Sequence, residues 1–102
     1  EISRLPESFR LKQNYPNPFN PETLIEYDLP ASAQVVLTIY DVRGNEVQTL
    51  ESTAKSAGTH TVMWDGRNEF GTLVSTGLYF YRLDVVSENA KFSQTRKMIL
   101  MK

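Results

Sequence analysis

The sequence of 102 residues carries 11 basic and 12 acidic side chains, 40% hydrophobic residues and no cysteine. That length fits one domain around one core, because either half alone would bury too little surface to stand by itself. Nearly cancelling charge leaves no electrostatic footprint for nucleic acid and no basic stripe for anionic lipid; the missing cysteine excludes disulfides, thiolate metal sites and a cysteine nucleophile. No apolar run reaches the length of a membrane span or a signal-peptide core, so no direct membrane insertion is expected. The chain opens on Glu1 rather than Met, and it is expected to be a piece of a longer protein whose export signal would lie upstream.

Glu1 to Ser8 is polar and aperiodic and reads as the end of a linker, with the domain proper at residues 9–102. The stretch Tyr15-Pro16-Asn17-Pro18-Phe19-Asn20-Pro21 follows. Its prolines fix φ, remove three backbone donors and push the preceding residues toward extended geometry. A stiff, non-pairing crossover is expected here, carrying the chain from the first strand to the next sheet. Tyr15 and Phe19 would anchor it and the asparagine amides would cap turns.

Beyond Pro21 the apolar residues recur at a spacing of two. Ile25, Tyr27 and Leu29 share one face of a strand that Pro30 ends, and Val35, Leu37 and Ile39 share one face of the next. Asp41-Val42-Arg43-Gly44-Asn45 reads as a tight hairpin, with Asp41 closing the turn and Gly44 free to take positive φ. Val47 to Leu50 returns as a short strand, Glu51 to Gly58 reads as a polar loop, and His60, Val62 and Trp64 share a face of a further strand. Asp65-Gly66 breaks that strand. After a long connection, Leu78 to Val86 places Tyr79, Tyr81, Leu83 and Val85 on one side, and Lys91 to Met101 completes a hairpin. No helical period survives for ten residues. The pattern predicts an all-β fold: an antiparallel immunoglobulin-like β-sandwich of about seven strands.

The residues offer little chemistry. His60 is the single histidine, so multi-histidine metal sites are excluded, and no serine stands in a nucleophile-elbow sequence. His60 reads as a strand residue on the border of the core. Asp41 and Asp65 invite comparison with a glycosidase pair, yet both sit in glycine turns where a carboxylate normally closes the backbone. Asp65-Gly66-Arg67-Asn68-Glu69 has some likeness to a calcium loop but lacks alternate-position oxygen ligands. Neither a cofactor nor a metal is expected. Tyr79, Tyr81 and Trp64 read as core, which leaves Tyr40, Phe80 and Phe70 for a sugar-stacking platform.

The last strand departs from pattern, because Arg96-Lys97-Met98-Ile99-Leu100-Met101-Lys102 is apolar on both faces. One of the pairs Met98/Leu100 and Ile99/Met101 must face outward. The residues themselves leave two readings open: a strand covered on both sides, or an edge strand that another protein grips by β-augmentation. A bare apolar edge also invites an edge-strand dimer at high concentration.

YPNPFNPET followed by LIEYDLP, VVLTIYDVRGNEV, GTHTVMWDG, STGLYFYRL and TRKMILMK closely resembles the C-terminal sorting domain, of the variety called type A, of proteins exported by the bacterial type IX secretion system. The resemblance covers about Leu11 to Lys102 with its elements in the family's order. WDG or YDVRG alone is shared with related immunoglobulin-like modules, including one in a flagellar hook-capping protein; YPNPFNP together with the terminal Lys-Met-x-Leu-x-Lys spacing is more specific. The resemblance implies a non-enzymatic signal at the end of an N-terminal cargo. Such a protein is exported through the periplasm to the cell surface or medium. Its partners would be the outer-membrane translocon, which binds the folded domain, and a sortase-like surface protease that cuts upstream, within or before Glu1 to Ser8. It places translocon recognition on Lys97, Met98, Ile99, Leu100, Met101 and Lys102, and makes Tyr15, Pro16, Asn17, Pro18, Phe19, Asn20 and Pro21 the motif of the domain start. The competing expectation is an accessory module of a secreted hydrolase that binds glycans or packs on the catalytic domain.

Overall fold

The computed structural model describes residues 4–101; Glu1 to Ser3 of the expected linker and Lys102 of the expected recognition strand lie outside the described residues. Seven strands are present among them: β1 (Arg10–Leu11), β2 (Thr23–Leu29), β3 (Ala33–Tyr40), β4 (Glu46–Lys55), β5 (Gly58–Trp64), β6 (Gly77–Ser87) and β7 (Lys91–Leu100). They form two sheets, ordered β1-β2-β5 and β4-β3-β6-β7, and every strand pair is antiparallel. This is the sandwich that the alternation predicts.

The period of two sorts each strand into a core face and a solvent face. Ile25, Tyr27 and Leu29 from one sheet meet Val35, Leu37, Ile39, Tyr81, Leu83 and Val85 from the other, all at most 1% exposed. In β7 the choice falls on Met98 and Leu100, both fully buried, so Ile99 and Met101 point outward. The Asp41 hairpin forms as expected. The carboxylate Oδ1 accepts the Arg43 and Asn45 amides at 2.9 Å each, and Gly44 takes φ of +87°. Those donors, the Asn45 amide first, hold the Asp41 carboxyl below its ordinary range.

Two expectations need correction. Glu51 to Gly58 is not a loop: β4 runs on to Lys55, pairing Val36 with Ser52 and Ala33 with Lys55, and only Ser56 and Ala57 lie before β5. Its polarity reflects its burial, since none of the side chains of residues 51–55 is fully buried. Register shifts opposite Leu37/Thr38 and Ile39/Tyr40 explain why Val47 and Leu50, three residues apart, both pack on the core.

The proline segment, second, does not carry the chain to the next sheet, since β1 and β2 on either side of it are neighbours in one sheet. Nor is it unpaired. Tyr15 forms an antiparallel bridge with Leu24, and Phe19 a parallel bridge with Leu100. Residues 13–19 therefore act as a strap across the open side of the sandwich, tied to β2 at one end and to β7 at the other. Proline removes donors only at its own position, which leaves Tyr15 and Phe19 able to bond on both sides.

Candidate functional site

The strap sits on a platform built from segments distant in sequence. Phe19 is 2% exposed and its ring centroid lies 5.6 Å from that of Trp64, which in turn meets Tyr79 edge-on at 5.5 Å. Burial of these large rings is the main attraction holding the strap down. The Trp64 indole N–H, which cannot be left unpaired when buried, donates to the Arg67 carbonyl at 2.9 Å. The turn after Trp64 comes close beneath the strap. Gly66 has φ of +75°, and a Cβ there would stand 3.1 Å from the Pro21 carbonyl and 3.7 Å from Leu100. Only glycine satisfies both the left-handed backbone and that approach.

A buried polar network holds the other end. Tyr81, fully buried on β6, donates its hydroxyl to the Lys12 carbonyl at 2.7 Å and accepts the Asn14 amide at 2.8 Å. Burial pushes this phenol up to about 12. Asn14 is 2% exposed and donates to Thr23 Oγ1 and to the Pro16 carbonyl, while Thr23 also donates to Pro16. Among the described residues no buried side-chain nitrogen or oxygen lacks a partner. A second buried phenol, Tyr27, crosses between the sheets to Glu51 at 2.6 Å; burial first and the carboxylate second raise it above the ordinary tyrosine range.

The terminal strand lies against this strap. The Phe19 amide donates to the Ile99 carbonyl (3.0 Å) and the Met101 amide to the Phe19 carbonyl (2.8 Å). The Ile99 amide donates to Asn17 Oδ1 (2.9 Å), and Gln13 Nε2 to the Lys97 carbonyl (2.8 Å). The two motifs that stand at opposite ends of the sequence, Tyr15 to Pro21 and Lys97 to Met101, thus form one site. In both motifs every residue is exposed except Phe19, Met98 and Leu100, which are buried beneath. Tyr15 is no anchor, being 79% exposed, because its backbone bridges the outward-facing Leu24. Asn17 caps no turn of its own and reaches the terminal strand instead. The sequence does not mark Asn14 or Gln13, and it marks Tyr81 only as core. The alternation marks Tyr81 as inward, but the partner of its hydroxyl lies 69 residues away.

The residues of the other candidate chemistries are engaged locally. His60 is half-buried, packs tilted against Tyr27 with ring centroids 5.4 Å apart and bonds the Ser56 carbonyl. Asp65 Oδ1 and Asn68 Oδ1, the oxygens a calcium loop would use, accept backbone amides of their own turns, and no metal-binding group of three or more His, Asp or Glu occurs among the described residues. An open groove of about 590 Å³ between the Asp41 hairpin and residues 68–79 is lined by Asp41 and Phe70 but not by Asp65. Tyr40 and Phe80 are cross-strand neighbours on the outer face, but Arg82 lies 5.0 Å over the Tyr40 ring, the position a stacking sugar would take.

A model of the family "FlgD Ig-like domain" matches residues 20–91. The basal-body rod modification protein FlgD of Salmonella typhimurium is 44% identical over 55 residues, which is 54% of this chain and 23% of that protein; the chain thus spans about a quarter of the length of this curated relative. Among solved structures, dimeric latent PorU from Porphyromonas gingivalis has a TM-score of 0.70 at 24% identity, covering 86% of this chain and 9% of that one. FlgD from P. aeruginosa has a TM-score of 0.63 at 20% identity, covering 78% and 67%. PorZ, described as an essential surface component of the type-IX secretion system of P. gingivalis, has a TM-score of 0.55 at 21% identity, covering 94% and 12%. At these identities the structural likeness establishes the fold.

Proposed function

The chain belongs to the FlgD Ig-like domain family, and from that premise we propose that it is a non-enzymatic type A sorting domain of the type IX secretion system. In this reading it closes the C-terminus of an exported cargo, is bound in folded form by the outer-membrane translocon through Lys97 to Lys102, and is then cut away or left at the surface by the sortase-like protease. The observation that carries the reading is the contact of its two most specific motifs. Tyr15 to Phe19 and the segment after residue 91 both fall outside the 20–91 family match, and Asn17 and Phe19 of the first bond to Ile99 and Met101 of the second. Both segments also reach the core, through Phe19 from one and Met98 and Leu100 from the other, so the joined motifs exist only in the folded domain. The likeness in fold to PorZ agrees with this reading.

A fusion tests it. Residues 1–102 are attached to a periplasmically exported reporter in a bacterium with a working type IX system, beside the same fusion carrying Lys97→Glu, Ile99→Asp and Met101→Asp. These three side chains are exposed, so the variant keeps its core, which thermal unfolding checks. The unaltered domain delivers the reporter to the surface or medium, and the variant leaves it in the periplasm. A reporter that stays periplasmic with the unaltered domain refutes the sorting role. That result would favour a second reading, a structural part in a rod-modifying assembly, which the 44% identity with the Salmonella protein supports.

A further inference from the structure

We infer that Asn17 is the positioning residue of the terminal strand: with Phe19 and Gln13 it closes the C-terminal end of the free edge of β7, from Lys97 onward, so that a partner docking on this end reads side chains and does not add a strand. The inference rests on the sorting reading only for its export consequence. An edge strand turns alternate N–H and C=O groups away from its sheet, and these are what a strand-adding peptide needs. In β7 the Lys97 carbonyl, both groups of Ile99 and the Met101 amide are already taken by Gln13, Asn17 and Phe19. The choice of asparagine follows from its neighbours. Pro16 and Pro18 stiffen the chain around position 17, and the Asn17 side-chain carbonyl supplies the acceptor that a paired strand would supply from its backbone.

With this end of the edge closed, what remains to be read there is a row of side chains on the outer face. Ile99 pairs across the sheet with Leu78, and these are 43% and 37% exposed; Met101 beside them is 51% exposed. Lys97 is exposed one step along the same face, opposite Phe80. The partner that fits is a protein surface with an apolar patch and a carboxylate at its rim, complementary to Lys97.

The test uses the full chain with Asn17→Leu, which keeps the shape without the acceptor, and Asn17→Asp, which keeps an acceptor. Hydrogen exchange of the Ile99 amide, read by NMR, rises about tenfold in Asn17→Leu and stays near the unaltered rate in Asn17→Asp. In the reporter fusion, export falls several-fold in Asn17→Leu and is restored in Asn17→Asp. Unchanged Ile99 exchange in Asn17→Leu overturns the inference, and so does raised exchange with undiminished export. A fusion that is not exported even with Asn17 in place overturns the sorting reading instead, while the exchange measurement still decides whether Asn17 holds the strand.

Discussion

Phe19→Ala removes the one side chain of the proline segment that is buried, and it should cost more than any other change in YPNPFNP. The ring is 2% exposed and packs tilted against Trp64, with centroids 5.6 Å apart. Truncating a buried phenylalanine costs about 3–5 kcal/mol, a large share of the roughly 5–15 kcal/mol that holds a domain of this kind together. At about 4–8 °C per kcal/mol the melting temperature falls by roughly 12 °C or more. Tyr15→Ala is the matched control in the same motif: its ring is 79% exposed, and its loss should stay within about 0.5 kcal/mol. Urea unfolding followed by the emission of Trp64, the single tryptophan, measures both, and the same probe should redden in folded Phe19→Ala as its ring neighbour disappears. If Tyr15→Ala proves the more damaging, or Phe19→Ala costs less than about 1 kcal/mol, the account of the strap is wrong.

Tyr81→Phe leaves the Asn14 amide, now accepted by the phenol, without a partner in a buried site, and urea unfolding should register a loss of about 1–3 kcal/mol. Gly66→Ala forces an L-residue into φ of +75° and its Cβ to 3.1 Å from the Pro21 carbonyl; a loss of at least 1–2 kcal/mol, roughly, is expected, and an unchanged midpoint would contradict the close approach. The Asp41 carboxyl titrates below its unfolded value because the Asn45 and Arg43 amides favour the charged form. Its stabilisation is therefore complete above the unfolded pKa and lost as pH falls through the folded one, so an NMR titration should find this carboxyl below about 3.9. The buried phenols behave in the opposite sense. Tyr81, pushed up to about 12, and Tyr27, raised by burial and Glu51, contribute stability that is present below about pH 10 and lost as pH rises through their folded values. Absorbance titration should show both phenols ionising only as the fold opens.

The sheet strands were legible because one face of each is buried: the inward set of β2, β3 and β6 can be read from alternation alone. β4 was half hidden because none of its side chains is fully buried, so it has little apolar period to display, and its two register shifts break what remains. The terminal strand was legible as two-faced, but parity could not decide between Met98/Leu100 and Ile99/Met101, since both pairs are apolar; the Trp64 and Phe19 platform beneath Leu100 decides it. The strap was least legible. Proline content correctly excludes a central strand, yet it says nothing about single bridges made by the residues between prolines. Contacts such as Asn17 with Ile99, 82 residues apart, leave no local signature, and so the two motifs of the site read as separate features until folding joins them.

The most direct measurement places a photo-crosslinking residue at position 99 of the exported fusion, with a second fusion labelled at Gln34, which is exposed at the far end of the same sheet. A folded sorting domain read through its terminal strand predicts a covalent adduct between position 99 and an outer-membrane translocon protein, and none from position 34. Adducts of equal yield from both positions, or none from position 99 while the reporter still reaches the surface, would contradict it.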